Sequence, residues 1–228
     1  METNKKYPRT YHLPWSPGAT SDDKRLSEGW FNNYKGKEVI ITEKIDGSNS
    51  CLTNNGVYGR SHAEVSHNPW DNVLWDIYYN IKDLISPNEQ VFGENIYAEH
   101  SIHYDSANSY FYIFGVTGIK PEPSRNSFWY SWSDVEDMSN ILNIPTVPVL
   151  WRGSIGSENE LKSMIDDIMR QPSTFGKEKE GIVMRIADEF AYDDFSKYVC
   201  KYVRANHVQT DCHWTRNWKK VELKKERL

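Results

Sequence analysis

Thr42-Glu43-Lys44-Ile45-Asp46-Gly47-Ser48-Asn49 follows directly on Lys37-Glu38-Val39-Ile40-Ile41, a run rich in β-branched residues of the kind that forms a strand. The run would deliver Lys44 near a strand end, beside the small and flexible Gly47. An amine held there is a candidate nucleophile. Free lysine is protonated at neutral pH, and burial or neighbouring cations are needed to lower its pKa and expose the lone pair. Asp46 would then be available for a metal or a ligand hydroxyl. Lys-x-Asp-Gly equally fits an exposed β-turn with a solvated ion pair, so its meaning depends on the rest of the chain.

The chain has 228 residues, which suits one large domain, or one with a small extension, and suffices for a full core. Hydrophobic residues make up 38% and charged residues 26%, and no apolar run approaches the ~18 residues of a membrane helix. Met1-Glu2-Thr3-Asn4-Lys5-Lys6-Tyr7-Pro8 lacks the apolar core of a secretory signal. Cys51, Cys200 and Cys212 are odd in number and widely spaced, which argues against a disulfide framework and for a reducing compartment. The expected location is the cytoplasm, or the host-cell cytoplasm for a viral chain. A net charge of -5 does not advertise a nucleic-acid binder, yet 216–227 forms a local basic patch. Of nine Trp and fourteen Tyr, most should be core, with some left to stack bases.

The arm Tyr7-Pro8-Arg9-Thr10-Tyr11-His12-Leu13-Pro14-Trp15-Ser16-Pro17-Gly18 should be ordered but irregular. Ser21 with Asp22 and Asp23 would cap a short helix carrying Leu26 and Trp30. Asn55-Gly56 between two β-prone runs signals a hairpin that returns Arg60 on a strand beside the Lys44 segment. The spacing of Trp70, Val73, Leu74, Ile77, Tyr78, Ile81, Leu84 and Ile85 predicts a core helix over 69–85, capped by Asn68. Strands are expected over 90–98, 109–116, 128–132, 146–151, 180–186 and 197–204. Capping boxes at Ser133-Asp134-Val135-Glu136 and Ser157-Glu158-Asn159-Glu160 would open two further helices. The fold class is α+β, with antiparallel sheets flanked by helices. A single domain over 1–228 is expected: an arm and short helix over 1–36, a core over 37–204 and a basic extension over 205–228.

Neither a Gly-x-x-x-x-Gly-Lys-Ser/Thr loop nor a Gly-x-Gly-x-x-Gly turn is present. Instead Gly59-Arg60-Ser61, Phe92-Gly93-Glu94, Phe111-Tyr112-Ile113-Phe114-Gly115, Glu180-Gly181-Ile182-Val183-Met184-Arg185 and Lys197-Tyr198-Val199-Cys200-Lys201-Tyr202-Val203-Arg204 follow Lys44 in order. With Lys44 they resemble the signature segments of the covalent nucleotidyltransferase superfamily of DNA ligases, RNA ligases and mRNA capping enzymes. The nearest likeness is to ATP-dependent RNA ligases of the phage-type RNA ligase 2 family, where Glu-Lys-x-x-Gly-x-Asn opens the site. The arm with Asp22-Asp23, and Ala205-Asn206-His207-Val208-Gln209-Thr210 with His213-Trp214, are similar to segments of a small stand-alone subgroup.

The resemblance implies a nucleotidyltransferase (ATP-grasp-like) domain that joins RNA 3′-hydroxyl and 5′-phosphate ends through a lysyl-AMP and an adenylylated RNA. Lys44 would attack the α-phosphorus of ATP. Lys201 would contact the α-phosphate and lower the pKa of Lys44, with Lys197 as a helper. Asp46 and Glu180 would serve Mg2+, for which Mn2+ could substitute. Glu94 would hold the ribose 2′-hydroxyl, Arg60 the ribose or a phosphate, Phe114 the adenine face and Glu43 its amine, with Ile45 also in the nucleotide site. Asn49 would act in the later steps on RNA. RNA ends are the implied partners, together with an end-healing or substrate-binding protein, and no membrane.

Two departures stand out: Gly115 replaces the usual Asp after the stacking Phe, and Val199 replaces a Lys. Neither an OB domain nor a helical C-terminal domain is expected after the last segment. Phe111 and Phe114 lie three apart, so one of them must be core, and Phe92 is core as well. His62, His67, His100 and His103 read as structural or RNA-facing, and His207, Asp211, Cys212 and His213 fit no zinc template. Alternatives are a minimal DNA ligase, a capping-type nucleotidyltransferase, or a non-catalytic nucleotide- or RNA-end-binding module.

Overall fold

In the computed structural model, which describes residues 5–207 and 218–224, the run ending at Lys44 joins two sheets. The first has the order β1-β11-β9-β2-β8, formed by Tyr11–His12, Val199–Val203, Gly181–Ile186, Glu38–Lys44 and Val149–Ser154. The second has the order β10-β7-β6-β5-β3-β4, formed by Phe190–Ala191, Ser127–Trp129, Phe111–Ile119, Gln90–Asn95, Ser48–Thr53 and Gly56–Gly59. All named pairings are antiparallel except β1 with β11. The expected α+β class with antiparallel sheets is what forms.

Strand alternation decides what each sheet buries. Val39 and Ile41 of β2 and Ile182 and Met184 of β9 share a core with Leu161, Ile165 and Ile168 of α3 (Glu158–Arg170). Leu52, Val91, Ile113 and Val116 of the second sheet meet Leu74, Tyr78 and Ile81 of α1 (Asn72–Ile81) and Val135, Met138 and Leu142 of α2 (Trp132–Leu142). The inner faces of the two sheets are left to form a cleft. Only Ile45-Asp46-Gly47 separates β2 from β3. Gly47 is required there, because a Cβ would stand 2.5 Å from the Asn95 carbonyl oxygen.

Several local expectations shift. No helix follows Ser21. Asp23 instead accepts from the Thr20 N–H and hydroxyl, each at 3.1 Å, and only a 3-10 turn, Trp30–Asn33, follows. The hairpin pairs Thr53 with Gly56, so Asn54 and Asn55 make the turn. β4 lies beside β3 rather than β2, and it ends at Gly59, placing Arg60 in the turn beyond it. The helix over 69–85 is α1 with a 3-10 turn at each end, Pro69–Asp71 and Lys82–Leu84. α2 is capped two residues earlier than expected, with Ser131 accepting from the Asp134 N–H at 3.2 Å. Ser157 caps α3 as expected, accepting from the Glu160 N–H. Lys197 lies in α4 (Phe195–Tyr198), a single turn ahead of β11. Residues 208–217 and 225–228, which include Asp211, Cys212, His213, Trp214 and part of the basic tail, lie outside the described residues.

Candidate functional site

Between the sheets lies a cavity of about 530 Å³, and the register of β2, β9 and β11 accounts for its charged wall. Lys44 pairs with Gly181, Thr42 with Val183, and Val183 with Lys201. Residues paired across strands share a face, so Lys44, Thr42, Val183 and Lys201 all point into the cavity, and all line it. Glu180 immediately precedes β9, and its Oε2 accepts from Lys44 Nζ at 2.6 Å. Eight of the predicted site residues, Glu43, Lys44, Ile45, Asn49, Arg60, Glu94, Phe114 and Lys201, line this one cavity.

The second sheet supplies the opposite wall. Asn49 of β3 pairs with Glu94 of β5. Between β5 and β6, Phe92 faces Gly115 and Gly93 faces Ile113, so Phe114 is the extra residue of a β-bulge. A bulge re-aims a side chain, and Phe114 lines the cavity while Phe111 and Phe92 are buried in the core. Asn49 leaves its side-chain oxygen buried without a hydrogen-bond partner among the described residues. A buried acceptor left open costs free energy unless a ligand supplies a donor. Gly115 is explained by its neighbour: a Cβ there would meet the Trp129 ring at 3.1 Å, so the ring takes the space an acidic side chain would need.

The electrostatics differ from the expectation for Lys44. Burial lowers the proton affinity of its ammonium, but Glu180, Glu94 and Asp46 outweigh burial and raise it above the ordinary lysine value. Lys201 does not offset them. Its own ammonium is held below the usual value by burial and by Lys44. Burial pushes the Glu180 carboxyl up, and it pushes Glu94 up to about 8 against the pull of Lys44. The resting site is therefore an ammonium locked to one carboxylate, with a second carboxyl that is neutral over much of the physiological range.

Three predicted residues are engaged with other parts of the chain. Alternation turns Glu43 away from Lys44, and its buried carboxylate accepts from the Ser173 hydroxyl at 2.5 Å and from the Thr174 N–H and hydroxyl at 2.9 and 2.8 Å. Both oxygens are engaged in anchoring the loop before β9, and the residue also lines the cavity. Asp46 accepts at one oxygen from the Ser101 and Ile102 N–H groups at 2.8 and 3.1 Å. It ties down the loop after β5, whose Tyr104 hydroxyl accepts from the Asp46 N–H at 2.6 Å. Lys197 is exposed and paired with Asp194 at 2.5 Å, away from the cavity lining. Among the described residues no three His, Cys, Asp or Glu side chains come together to hold a metal ion.

Other residues line the cavity as well. His100, whose Nε2 lies 3.3 Å from the Ser48 hydroxyl, faces the cavity. So does Arg185, buried, donating to the Tyr130 carbonyl at 2.5 Å and the Ile186 carbonyl at 3.1 Å. Tyr7 comes from the arm and stands edge-on to Phe114 at 4.9 Å, held by the aromatic rings of Phe92, Trp129 and Phe195. The same arm braces the strand of Lys201: the Leu13 N–H donates to the Lys201 carbonyl at 2.8 Å, and the Ser16 hydroxyl accepts from the Val203 N–H at 2.9 Å. Tyr7 sits among prolines in a stretch without periodicity, so no sequence signal pointed to a wall of the site.

The family model described as RNA ligase matches residues 37–203. No curated protein matches the chain. Among solved structures, an archaeal ATP-dependent RNA ligase is similar with a TM-score of 0.57 at 15% identity, over 88% of this chain and 48% of that one. An RNA ligase of Naegleria gruberi solved with ATP and Mn is similar with a TM-score of 0.57 at 15% identity, over 90% and 57%. A putative ATP-dependent DNA ligase from Aquifex aeolicus is similar with a TM-score of 0.53 at 16% identity, over 87% and 50%. The chain thus spans about half the length of these structures, and at such identity the likeness establishes a shared fold.

Proposed function

The chain belongs to the RNA ligase family, and from that premise we propose that it uses ATP to join an RNA 5′-phosphate to a 3′-hydroxyl, with Lys44 as the residue that carries AMP. The observation that carries this reading is the 2.6 Å contact between Lys44 Nζ and Glu180 in a cavity that also presents Lys201, Glu94 and Phe114. In the first step Lys44 attacks the α-phosphorus and pyrophosphate leaves. A neutral amine is needed, and the Glu180 carboxylate, whose proton affinity burial has raised, is the base at hand to take the proton. Lys201 supplies positive charge to the phosphoryl oxygens as negative charge gathers there. ATP enters as its Mg2+ or Mn2+ complex, the cation travelling on the phosphates as part of the substrate.

Phe114 stacks on the base, Glu94 and Asn49 face the sugar hydroxyls, and Arg60 at the rim meets ribose or phosphate. In the later steps AMP passes from Lys44 to the RNA 5′-phosphate, and the 3′-hydroxyl of the joining strand displaces it. Sealing of DNA strands is the second reading, favoured by the likeness to the putative Aquifex DNA ligase. Intact-mass measurement after incubation with ATP and Mg2+ tests the first step. One AMP is expected on the wild type and none on Lys44→Ala. The absence of an adduct under either Mg2+ or Mn2+, with pyrophosphate removed, would overturn the proposal.

A further inference from the structure

A row of half-buried rings leads from the cavity mouth onto the surface. Trp70, in the 3-10 turn ahead of α1, lines the cavity, and the ring of Trp218 stands edge-on to it with centroids 6.5 Å apart. Trp218 lies 5.7 Å from Tyr97, and Tyr97 lies 5.0 Å from Tyr110. All four rings keep part of their surface exposed, whereas the rings that serve the core, such as Phe92 and Trp129, are covered. Lys220 holds its ammonium 5.3 Å from the Tyr97 ring and 5.4 Å from that of Tyr110, and Lys219 beside it is exposed.

The row is held in place by backbone rather than by the rings alone. The Glu99 N–H donates to the Lys219 carbonyl at 2.8 Å, the Val221 N–H to the Tyr97 carbonyl at 2.9 Å and the Lys224 N–H to the Ala107 carbonyl at 2.8 Å. Val221 is buried beneath the segment. The segment over 218–224 lies beyond the residues that the family model matches. It joins the cavity wall through Trp70 and runs along the loop that fixes Asp46.

Resting on the RNA-joining function proposed above, we infer that this row is the path of a single RNA strand whose end enters the cavity. Its bases lie against Trp218, Tyr97 and Tyr110, and its phosphates face Lys219 and Lys220. Every base has a π-face, so partly exposed rings accept any sequence, and lysines among them supply the charge that a phosphate chain seeks. A duplex keeps its base faces stacked inside and cannot use such a row.

The test is the binding of a short 5′-phosphorylated single-stranded RNA to the full chain, followed by fluorescence anisotropy over a series of salt concentrations. Trp218→Ala should weaken binding about 5- to 150-fold, the span expected for one lost stacked base, and Trp218→Phe should restore most of it. Lys219→Ala with Lys220→Ala should make the log–log salt slope shallower by about 1.4. All three proteins should form the AMP adduct at the wild-type rate, which also shows that they fold. Variants that bind the strand as tightly as the wild type, with the same salt slope, would overturn the path while leaving the joining function intact. A wild type that forms no AMP adduct would instead remove that function, whatever it binds.

Discussion

Glu180 carries most of the argument at the scale of single residues. Its carboxylate lies 2.6 Å from Lys44, and burial has raised its affinity for a proton. Glu180→Gln keeps the shape and a polar contact but removes the base. Adenylylation of Lys44 should therefore fall about 10²- to 10⁴-fold, with ATP binding little changed, as read by single-turnover mass shift against equilibrium binding. Equal losses in binding and rate would point to a structural role instead. Glu43 makes the opposite case. Because both its oxygens hold Ser173 and Thr174, Glu43→Gln should cost about 2 kcal/mol of stability in denaturant melts while leaving the preference for ATP over GTP unchanged. Had its carboxylate read the adenine amine, the variant would accept GTP more readily. Strand alternation turns Glu43 away from Lys44, but the sequence expectation gave Glu43 the adenine amine, because its partners Ser173 and Thr174 lie about 130 residues away and meet it only in the fold.

The elements were legible where their pattern is local and less so where tertiary contacts set the ends. The β-branched run, the α1 stripe and the Ser157 cap stand as their periodicity and capping chemistry indicate. The α2 cap moved to Ser131 because two nearby serines compete and only the Ser131 hydroxyl reaches the Asp134 N–H. Which strand lies next to β4 depends on the switch between sheets at Ile45-Asp46-Gly47, which no short-range pattern announces. The β6 bulge was equally silent, since it shows only in the pairing of Phe92 with Gly115 and of Gly93 with Ile113. Gly115, by contrast, was visible as a departure but not as a consequence of Trp129. Gly115→Asp should press a side chain into that ring, starting from a Cβ at 3.1 Å. A destabilisation of about 1–3 kcal/mol in equilibrium unfolding is expected. A neutral or stabilising result would mean that Trp129 does not close the space.

For the whole molecule, Lys44 and the five ordered segments after it came together around one cavity, although they span chain positions from 44 to 204. Tyr7 and His100 joined them only through the fold, as parts of an arm and a loop whose roles depend on packing. Burying so many charges also ties global stability to pH. The carboxyl of Glu94 moves from an ordinary value of 4.5 to about 8 on folding, chiefly through burial. The folded protein therefore binds more protons than the unfolded chain between those values, and stability falls as pH rises through that window. Glu94→Gln should flatten the fall in melting temperature between about pH 4.5 and pH 8 and leave the variant relatively more stable above it. Parallel curves for the two proteins would show that the group is not buried as described.

The most direct test of the account begins with the isolated Lys44-AMP protein, freed of ATP and offered an RNA strand with a 5′-phosphate next to a strand with a 3′-hydroxyl. The account predicts that the adduct mass disappears and that adenylylated RNA and then the joined strand appear in step with its loss. An adduct that persists in the presence of RNA, or one that is discharged without AMP reaching the 5′-phosphate, would contradict it.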